Sequence, residues 1–81
     1  MDLVEAFGRN VKSARERRNL TQEDLEGLTG LRRSYISDLE RGTRNPTVRS
    51  LERLAAALKV PPAELVRLAD EATCPATDDK N

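Results

Sequence analysis

The sequence predicts an all-α fold, and three observations carry that prediction. Apolar residues recur at helical spacing, most clearly from residue 48 to residue 58. Capping residues and glycines stand between the periodic segments, where helices would begin and end. No stretch alternates as a half-buried strand would, and 81 residues suffice for one domain with a modest core. We therefore expect one domain of five short helices over residues 1–72, followed by a small, polar tail over residues 73–81.

The first helix is expected over about residues 2–18, because its apolar positions share one face. At steps of four, four and three residues, these positions are Leu3, Phe7, Val11 and Ala14. The next two residues, an asparagine and a leucine, would form the turn that ends this helix. The first helix should therefore pack one continuous stripe against the rest of the domain.

The second helix, over residues 22–28, is predicted by its cap as much as by its apolar residues. Thr21 precedes it, and an acidic residue at its third position makes the pattern close to a capping box. Leu25 and Leu28 are expected to be buried. Gly30 supplies the permissive backbone that a sharp turn into the next helix requires.

Three further helices follow this turn. The third is expected over about residues 33–41 and should stop at Gly42. Thr47 is the expected cap of the fourth helix, whose apolar stripe consists of Val48, Leu51, Leu54, Ala55 and Leu58. Two prolines open the fifth helix, where the first amides lack partners in any case. The apolar residues of that helix are Leu65, Val66, Leu68 and Ala69.

The net charge is zero, but the charges are unevenly distributed. Residues 32–53 contain six arginines and three acidic residues, whereas residues 21–31 contain three acidic residues and no basic one. A local basic surface is what contact with phosphate requires. The pattern therefore favours nucleic-acid binding around the third helix and the loop after it.

Several function classes are disfavoured by what the sequence lacks. There is no histidine and the one cysteine is Cys74, which excludes ordinary zinc sites and a disulfide framework. No apolar run reaches the roughly 18 residues that a membrane span needs. Without a nucleophile motif or a Gly-rich phosphate loop, we expect neither an enzyme nor a cofactor. The expected location is the reducing cytoplasm, with Cys74 as a free thiol.

The outer face of the third helix differs from that of an ordinary solvent-facing helix. Ile36 and Leu39 define its buried side. The other positions carry arginine, tyrosine and short polar side chains: Arg33, Ser34, Tyr35, Ser37 and Asp38. Arginine pairs bidentately with guanine, and recognition helices present their N-terminal residues to base edges. These residues are therefore expected to read bases, although for Asp38 an intramolecular pair or repulsion from phosphate is an equal alternative.

Residues 7–68 resemble the phage repressor and Cro type of helix-turn-helix domain, which is also called XRE-like. The matching segments are TQEDL, SYISDLERG, NPT and SLERLAAAL, which together are more specific than a helix-turn-helix pattern alone. The small size and the segment RSYISDLERGTRNPTVRSL are also similar to controller proteins of restriction–modification systems. The resemblance implies a sequence-specific transcriptional regulator of double-stranded DNA, and the second similarity implies autoregulation of a restriction–modification operon.

The resemblance also implies roles for individual residues. Base-reading positions of the family are occupied here by Arg33, Ser34, Tyr35 and Asp38. Phosphate contacts are expected from Gln22, Arg32, Arg44, Asn45, Thr47 and Arg49. Arg15 and Glu40 match an ion pair that joins the first helix to the third and orients it. Arg32 departs from the family, which usually places Ser or Thr there as a cap worth about 1 kcal/mol. Either the third helix starts at a different residue, or Arg32 contacts phosphate at some loss of local stability.

A homodimer is expected, because a single domain reads too few base pairs to be selective in a genome. Its half-sites would lie about 34 Å apart on one face of the DNA. The contact between protomers is expected from apolar residues near the fifth helix: Val60, Leu65, Val66 and Ala69. The alternative is that all of these residues only close the core of their own domain. Such a dimer can block RNA polymerase or help to recruit it. The alternative is an antitoxin-like regulator whose C-terminal region binds a partner protein.

Overall fold

The computed structural model describes residues 2–68, which form five α-helices and no strand. In chain order these are α1 Leu3–Arg17, α2 Gln22–Thr29, α3 Arg33–Arg41, α4 Val48–Leu58 and α5 Pro62–Leu65. The all-α class is therefore confirmed. The tail predicted over residues 73–81, with Cys74, lies outside the described residues. None of the described helices is both long and apolar enough to cross a membrane.

Side-chain caps begin three of the helices. Asp2, Thr21 and Thr47 each accept a hydrogen bond from the third backbone N–H of α1, α2 and α4 respectively. At α2 the acid at the third position returns the bond, since Asp24 Oδ2 accepts from the Thr21 N–H at 2.9 Å. The box is thus complete, and its hydrogen bonds lower the pKa of Asp24. The caps predicted at Thr21 and Thr47 are confirmed.

A glycine follows the last residue of α2 and the last residue of α3. Gly30 and Gly42 have φ angles of 78° and 77°, in the left-handed region that favours glycine. The N–H of each then bonds to the last turn of its own helix. Both turns lie where the sequence predicted them. As a result, only three residues separate the end of α2 from the start of α3.

A single apolar core contains side chains from every helix. Its members are Phe7, Val11, Ala14, Leu25, Ile36, Leu39, Leu54, Ala55, Leu58 and Leu65. The backbones of α1 and α3 approach each other closely, because a Cβ atom on Gly8 would lie only 2.0 Å from the Leu39 carbonyl oxygen. Only glycine permits this approach. Helical spacing did not identify Gly8, since a glycine adds nothing to an apolar stripe.

Three apolar residues that the helical stripes place in the core are exposed instead. Leu3, Leu28 and Val48 keep 53%, 60% and 82% of their surface accessible. Leu3 and Val48 are the first residues of their helices, at the rim of the core. In α2 the buried position next to the turn belongs to Thr29, one residue later than predicted. Its hydroxyl donates to the Leu25 carbonyl at 2.7 Å and accepts from a backbone N–H of the turn at 3.1 Å.

The fifth helix is shorter than its apolar residues predicted. It ends at Leu65, and Val66 lies beyond the helix with 37% of its surface exposed. Asn10 of α1 accounts for this end, because its Nδ2 donates to the carbonyl oxygens of Leu65 at 3.0 Å and of Arg67 at 2.7 Å. A side chain of α1 thereby satisfies carbonyl groups that a longer helix would pair internally. Ala69 lies outside the described residues.

Candidate nucleic-acid interface

The N-terminal half of α3 presents the residues that are expected to read bases. Arg32, Arg33 and Ser34 are exposed, whereas Ile36 and Leu39 have no accessible surface, as predicted. The remaining candidates are half-buried: Tyr35, Ser37 and Asp38. Within residues 2–68 the Arg33 guanidinium pairs with no acidic side chain. It is therefore available to an external acceptor.

The start of α3 is capped by a residue of α2. Arg32 occupies the capping position, but its side chain makes no capping hydrogen bond. Instead the Arg33 backbone N–H donates to Glu26 Oε2 at 3.2 Å. A carboxylate at this end of the helix also interacts favourably with the helix dipole. The helix thus begins at Arg33, as predicted, and Glu26 supplies the cap that the sequence lacks locally. Sequence reasoning missed Glu26, because no local capping pattern links residues seven positions apart.

A chain of hydroxyl groups joins α3 to the start of α4. Tyr35 Oη lies 3.0 Å from Ser50 Oγ, and Thr47 Oγ1 donates to the same Ser50 oxygen at 2.9 Å. Thr47 Oγ1 also accepts from the Ser50 N–H at 3.0 Å. The Thr47 hydroxyl is thereby occupied within the domain, so its role is to fix the start of α4. Ser50 is only 5% exposed. No sequence signal distinguished it from an ordinary polar residue of a first helical turn.

Asp38 pairs with two arginines. Arg41, one turn further along α3, forms an ion pair with Asp38 Oδ1. Arg44, in the loop after α3, places its Nη1 3.9 Å from Asp38 Oδ2. The Arg44 guanidinium also lies over the Tyr35 ring, 4.9 Å from the ring centroid. Of the alternatives for Asp38, the intramolecular pair is therefore the one present in the free protein.

Arg15 and Glu40 form a bidentate ion pair between α1 and α3. Arg15 Nε and Nη2 donate to the two carboxylate oxygens at 2.7 and 3.1 Å, and the side chains are 12% and 4% exposed. The hydrogen bond to Glu40 raises the pKa of Arg15. Arg15 also donates to the Leu20 carbonyl at 2.7 Å, and Gln22 Nε2 donates to Glu40 Oε1 at 3.0 Å. The pair therefore fixes α3 relative to α1 and to the start of α2.

The candidates for phosphate contact flank α3 on two sides. Gln22 and Arg33 line one polar cleft between the starts of α2 and α3. The loop after α3 and the first turn of α4 carry the exposed residues Arg44, Asn45, Thr47 and Arg49. Because Tyr35 of α3 contacts both Ser50 and Arg44, this second group lies on the α4 side of α3. The exposed arginines and the start of α3 together form a basic, polar face.

Fewer of the predicted residues are accessible for contact between two protomers than the sequence suggested. Leu65 is completely buried in the core of its own domain, so its assignment to the dimer contact was wrong. Val60 is half-buried and Val66 is partly exposed, while Ala69 lies outside the described residues. Val66 also lines an apolar groove with Leu3, which reaches the loop between α3 and α4. The apolar surface thus lies beside the basic face.

The geometry is that of a helix-turn-helix domain, and comparison with known proteins decides the family. The helix-turn-helix family model HTH_3 matches residues 11–65. The chain belongs to this family. It is 46% identical over 71 residues to the uncharacterised HTH-type transcriptional regulator y4dJ of Sinorhizobium fredii, a match that covers 88% of the chain and 92% of that protein.

Two solved structures of restriction–modification controller proteins are also similar to this helix-turn-helix protein. C.AhdI from Aeromonas hydrophila matches with a TM-score of 0.74 and 40% identity, over 76% of this chain and 94% of C.AhdI. The C.Esp1396I tetramer in complex with its natural 35 base-pair operator matches with a TM-score of 0.73 and 35% identity, over 80% and 86% of the two chains. The resemblance seen in the sequence is confirmed, and the protein is a DNA-binding transcriptional regulator.

Proposed function

We propose that this regulator binds a near-palindromic operator as a homodimer, with α3 of each protomer in the major groove. The observation that carries the proposal is the exposed N-terminal half of α3, which is flanked on both sides by polar and basic residues. A helix in the major groove needs this arrangement, since neighbouring elements must contact the phosphate backbones beside it. The structure of the similar protein C.Esp1396I as a tetramer in complex with its natural 35 base-pair operator supports operator binding by an assembly of protomers.

Direct base contacts are assigned to the outer face of α3. Arg33 carries the largest share, because its guanidinium is exposed and can pair bidentately with guanine O6 and N7. Ser34 beside it can donate or accept. Further along the helix, contacts are assigned to Tyr35, Ser37 and Asp38. Tyr35 and Asp38 must exchange partners to make them, since both contact Arg44 in the free protein.

Phosphate contacts are assigned to the two flanks of α3. On the α2 side they come from Gln22 and Arg32, together with the unpaired first amides of α2. On the α4 side they come from Arg44, Asn45, Thr47 and Arg49. Thr47 contributes by holding the first turn of α4, whose amides are then available to a phosphate. These contacts position the protein on DNA without reading the sequence.

We infer that the two protomers pair through Val60 and Val66, with Ala69 as a further contact. The groove that Val66 lines reaches the loop between α3 and α4, which supports a pairing that leaves both α3 helices open to DNA. Dimerisation links DNA occupancy to the concentration of the protein, as autoregulation of its own operon requires. The similarity to restriction–modification controller proteins supports that type of operon. On the DNA, the dimer would block or recruit RNA polymerase in the cytoplasm.

The first test is a binding titration with DNA from upstream of the protein's own gene. A scrambled duplex of the same composition serves as competitor, and the titration is repeated at several salt concentrations. Tight, salt-sensitive binding that survives the competitor is expected for an autoregulating transcription factor. Equal binding to both duplexes would contradict autoregulation. In that event, deletion of residues 73–81 would test the alternative that a partner protein binds the C-terminal region.

Two substitutions distinguish base reading from phosphate contact. Arg33→Ala is expected to weaken binding to the operator by about 1–3 kcal/mol and to affect random DNA much less. Arg44→Ala is expected to weaken binding to both and to lower the salt slope by about one unit. Titrations of both variants on both duplexes measure these effects. Equal losses from Arg33→Ala on the two duplexes would contradict its assignment as a base-reading residue.

A further inference from the structure

The structure points to Asp38 as a residue that determines specificity by penalising the wrong DNA. We propose that its carboxylate holds Arg41 and Arg44 within the free protein. These arginines can move to phosphate without a loss of binding free energy only where the DNA offers Asp38 a hydrogen-bond donor. This inference rests on the proposed function, since it requires α3 to lie in the major groove. It concerns how the site rejects DNA of the wrong sequence, which the assigned base contacts do not explain.

The first step is that Asp38 organises three residues of the candidate interface. Its two carboxylate oxygens contact Arg41 and Arg44, and its side chain is still 31% exposed. Arg44 in turn covers the Tyr35 ring. The loop is tied to the same residue, because the Thr43 N–H donates to the Asp38 carbonyl oxygen at 3.0 Å. In the free protein, Arg41 and Arg44 are therefore directed at Asp38.

The second step is that Asp38 is the one acidic side chain on the outer face of α3. The other acidic residue of this helix, Glu40, is 4% exposed and is neutralised by Arg15. Asp38 would thus face the negatively charged DNA backbone when the helix enters the groove. Cytosine N4 and adenine N6 are the donors of the major groove that a carboxylate can accept from. Guanine O6 and N7 and thymine O4 offer it only acceptors.

The third step compares correct and incorrect DNA. On any duplex, Arg41 and Arg44 can leave Asp38 for phosphate, which leaves a carboxylate without its cations. On the correct duplex a base donor then satisfies that carboxylate. On incorrect DNA it would be left unpaired beside phosphates, so Arg41 and Arg44 stay with Asp38 and do not contact phosphate. An unpaired charge in a dehydrated interface is strongly unfavourable. Specificity therefore arises here from a repulsive element as well as from attractive contacts.

The test is the substitution Asp38→Asn, measured with two duplexes. One duplex is selected by the wild-type protein from a random pool, and the other is its scrambled version. Asparagine keeps the shape and an acceptor oxygen but loses the charge that holds the arginines. On the scrambled duplex, binding should tighten about tenfold and the salt slope should steepen by one to two units, since two arginines are released to phosphate. On the selected duplex, affinity should fall, because asparagine lacks the charge of the base contact, so the ratio of the two affinities should fall by more than about tenfold.

The matched control is Glu64→Gln. Glu64 pairs with Arg67 three residues later, as Asp38 pairs with Arg41, and the substitution raises the net charge by the same amount. It lies on α5, which carries none of the proposed DNA contacts. Tighter binding of Glu64→Gln to the scrambled duplex, equal to that of Asp38→Asn, would overturn the inference in favour of net charge alone. Unchanged binding of the control would support it.

A double variant tests whether the effect of Asp38→Asn depends on Arg41 and Arg44. In a variant with Arg41→Ala and Arg44→Ala, adding Asp38→Asn should alter binding to the scrambled duplex by less than about twofold. A full effect in this background would overturn the inference, as would an Asp38→Asn variant that only weakens binding to the selected duplex. Failure of the wild-type protein to enrich any duplex would contradict the proposed function itself. The two failures are therefore distinguishable.

Discussion

The C-terminal end of α3 is embedded in the domain, whereas its N-terminal end is open to solvent. At the C-terminal end, Gly8 of α1 allows backbone contact with Leu39, and Glu40 is buried in its pair with Arg15. At the N-terminal end, the side chains of Arg33 and its neighbours are exposed, and the cap comes from another helix. A recognition helix needs both conditions. Its orientation must be fixed from one end, while its reading end stays free of competing protein contacts.

Gly8→Ala should be the most damaging change at the embedded end. Its Cβ would meet the Leu39 carbonyl oxygen at 2.0 Å, and neither backbone can move without separating α1 from α3. We expect a loss of about 3 kcal/mol or more in the free energy of unfolding. Urea unfolding followed by circular dichroism measures it.

Gly27→Ala is the matched control for this change. Gly27 also lies inside a helix, but a Cβ built there has no atom within 4 Å. Alanine should therefore raise the free energy of unfolding by about 0.5–1 kcal/mol through helix propensity alone. If both variants were equally stable, close packing of α1 on α3 would not be what fixes the embedded end.

Arg15→Met should be the next most damaging change. It leaves the Glu40 carboxylate almost buried, and among residues 2–68 its one remaining partner is the amide of Gln22. We expect a loss of about 2 kcal/mol, which is less than for a fully buried pair because Arg15 lines an open cleft. Thermal and urea unfolding measure it, with Arg17→Met on the exposed side of α1 as control. A similar loss in the control would mean that the ion pair is not what stabilises the helix contact.

Glu26→Ala tests the solvent-exposed N-terminal end of α3. Loss of the carboxylate leaves the Arg33 N–H without its capping acceptor, which should lower stability by about 1 kcal/mol. Glu26→Gln keeps an acceptor oxygen at the same position and should lose less than half of that amount. Hydrogen exchange at the Arg33 amide should speed up in the alanine variant. Unchanged exchange would show that the start of α3 does not depend on Glu26.

The smallest expected effect is the pH dependence of stability that arises from the capping box of α2. This cap is local, whereas the cap of α3 is supplied by Glu26 of another helix. Hydrogen bonds from Thr21 hold the pKa of Asp24 below its ordinary value. Its stabilising contribution is thus complete above the unfolded pKa of about 3.9 and is lost as pH falls through the lower folded pKa. The difference in stability between wild type and Asp24→Asn should therefore shrink in acid. A difference independent of pH would exclude this role of the carboxylate.

The helices and their ends were predictable because they depend on neighbouring residues. The capping box at Thr21, the left-handed glycines at Gly30 and Gly42, and the stripe of α4 all act within a few positions of the chain. The end of α3 at Gly42 agrees with the prediction for the same reason, whereas the cap at its start comes from Glu26 of α2. The fifth helix was predicted too long, because its end depends on Asn10, 55 residues earlier. Its apolar residues alone contain no sign of that contact.

Parts of the candidate site were less predictable, because they depend on contacts between helices. The outer face of α3 follows from helical periodicity, and the Arg15–Glu40 pair from the family resemblance. Glu26, Ser50 and the pairing of Asp38 with Arg44 join residues from different helices or from the loop. No spacing rule connects such positions. These contacts exist only because the packing of the helices brings the side chains within hydrogen-bonding distance.

The sequence by itself determined the all-α class, the order and caps of the helices, and the polar face expected to meet DNA. These properties follow from helical periodicity and from local hydrogen bonds of the backbone. Tertiary structure alone decided that Leu3, Leu28 and Val48 stay exposed, where α5 ends, how α3 is capped and that Asp38 holds Arg44. Each of these depends on the angle and distance between helices, and a single residue such as Gly8 sets that distance without leaving any periodic pattern in the chain.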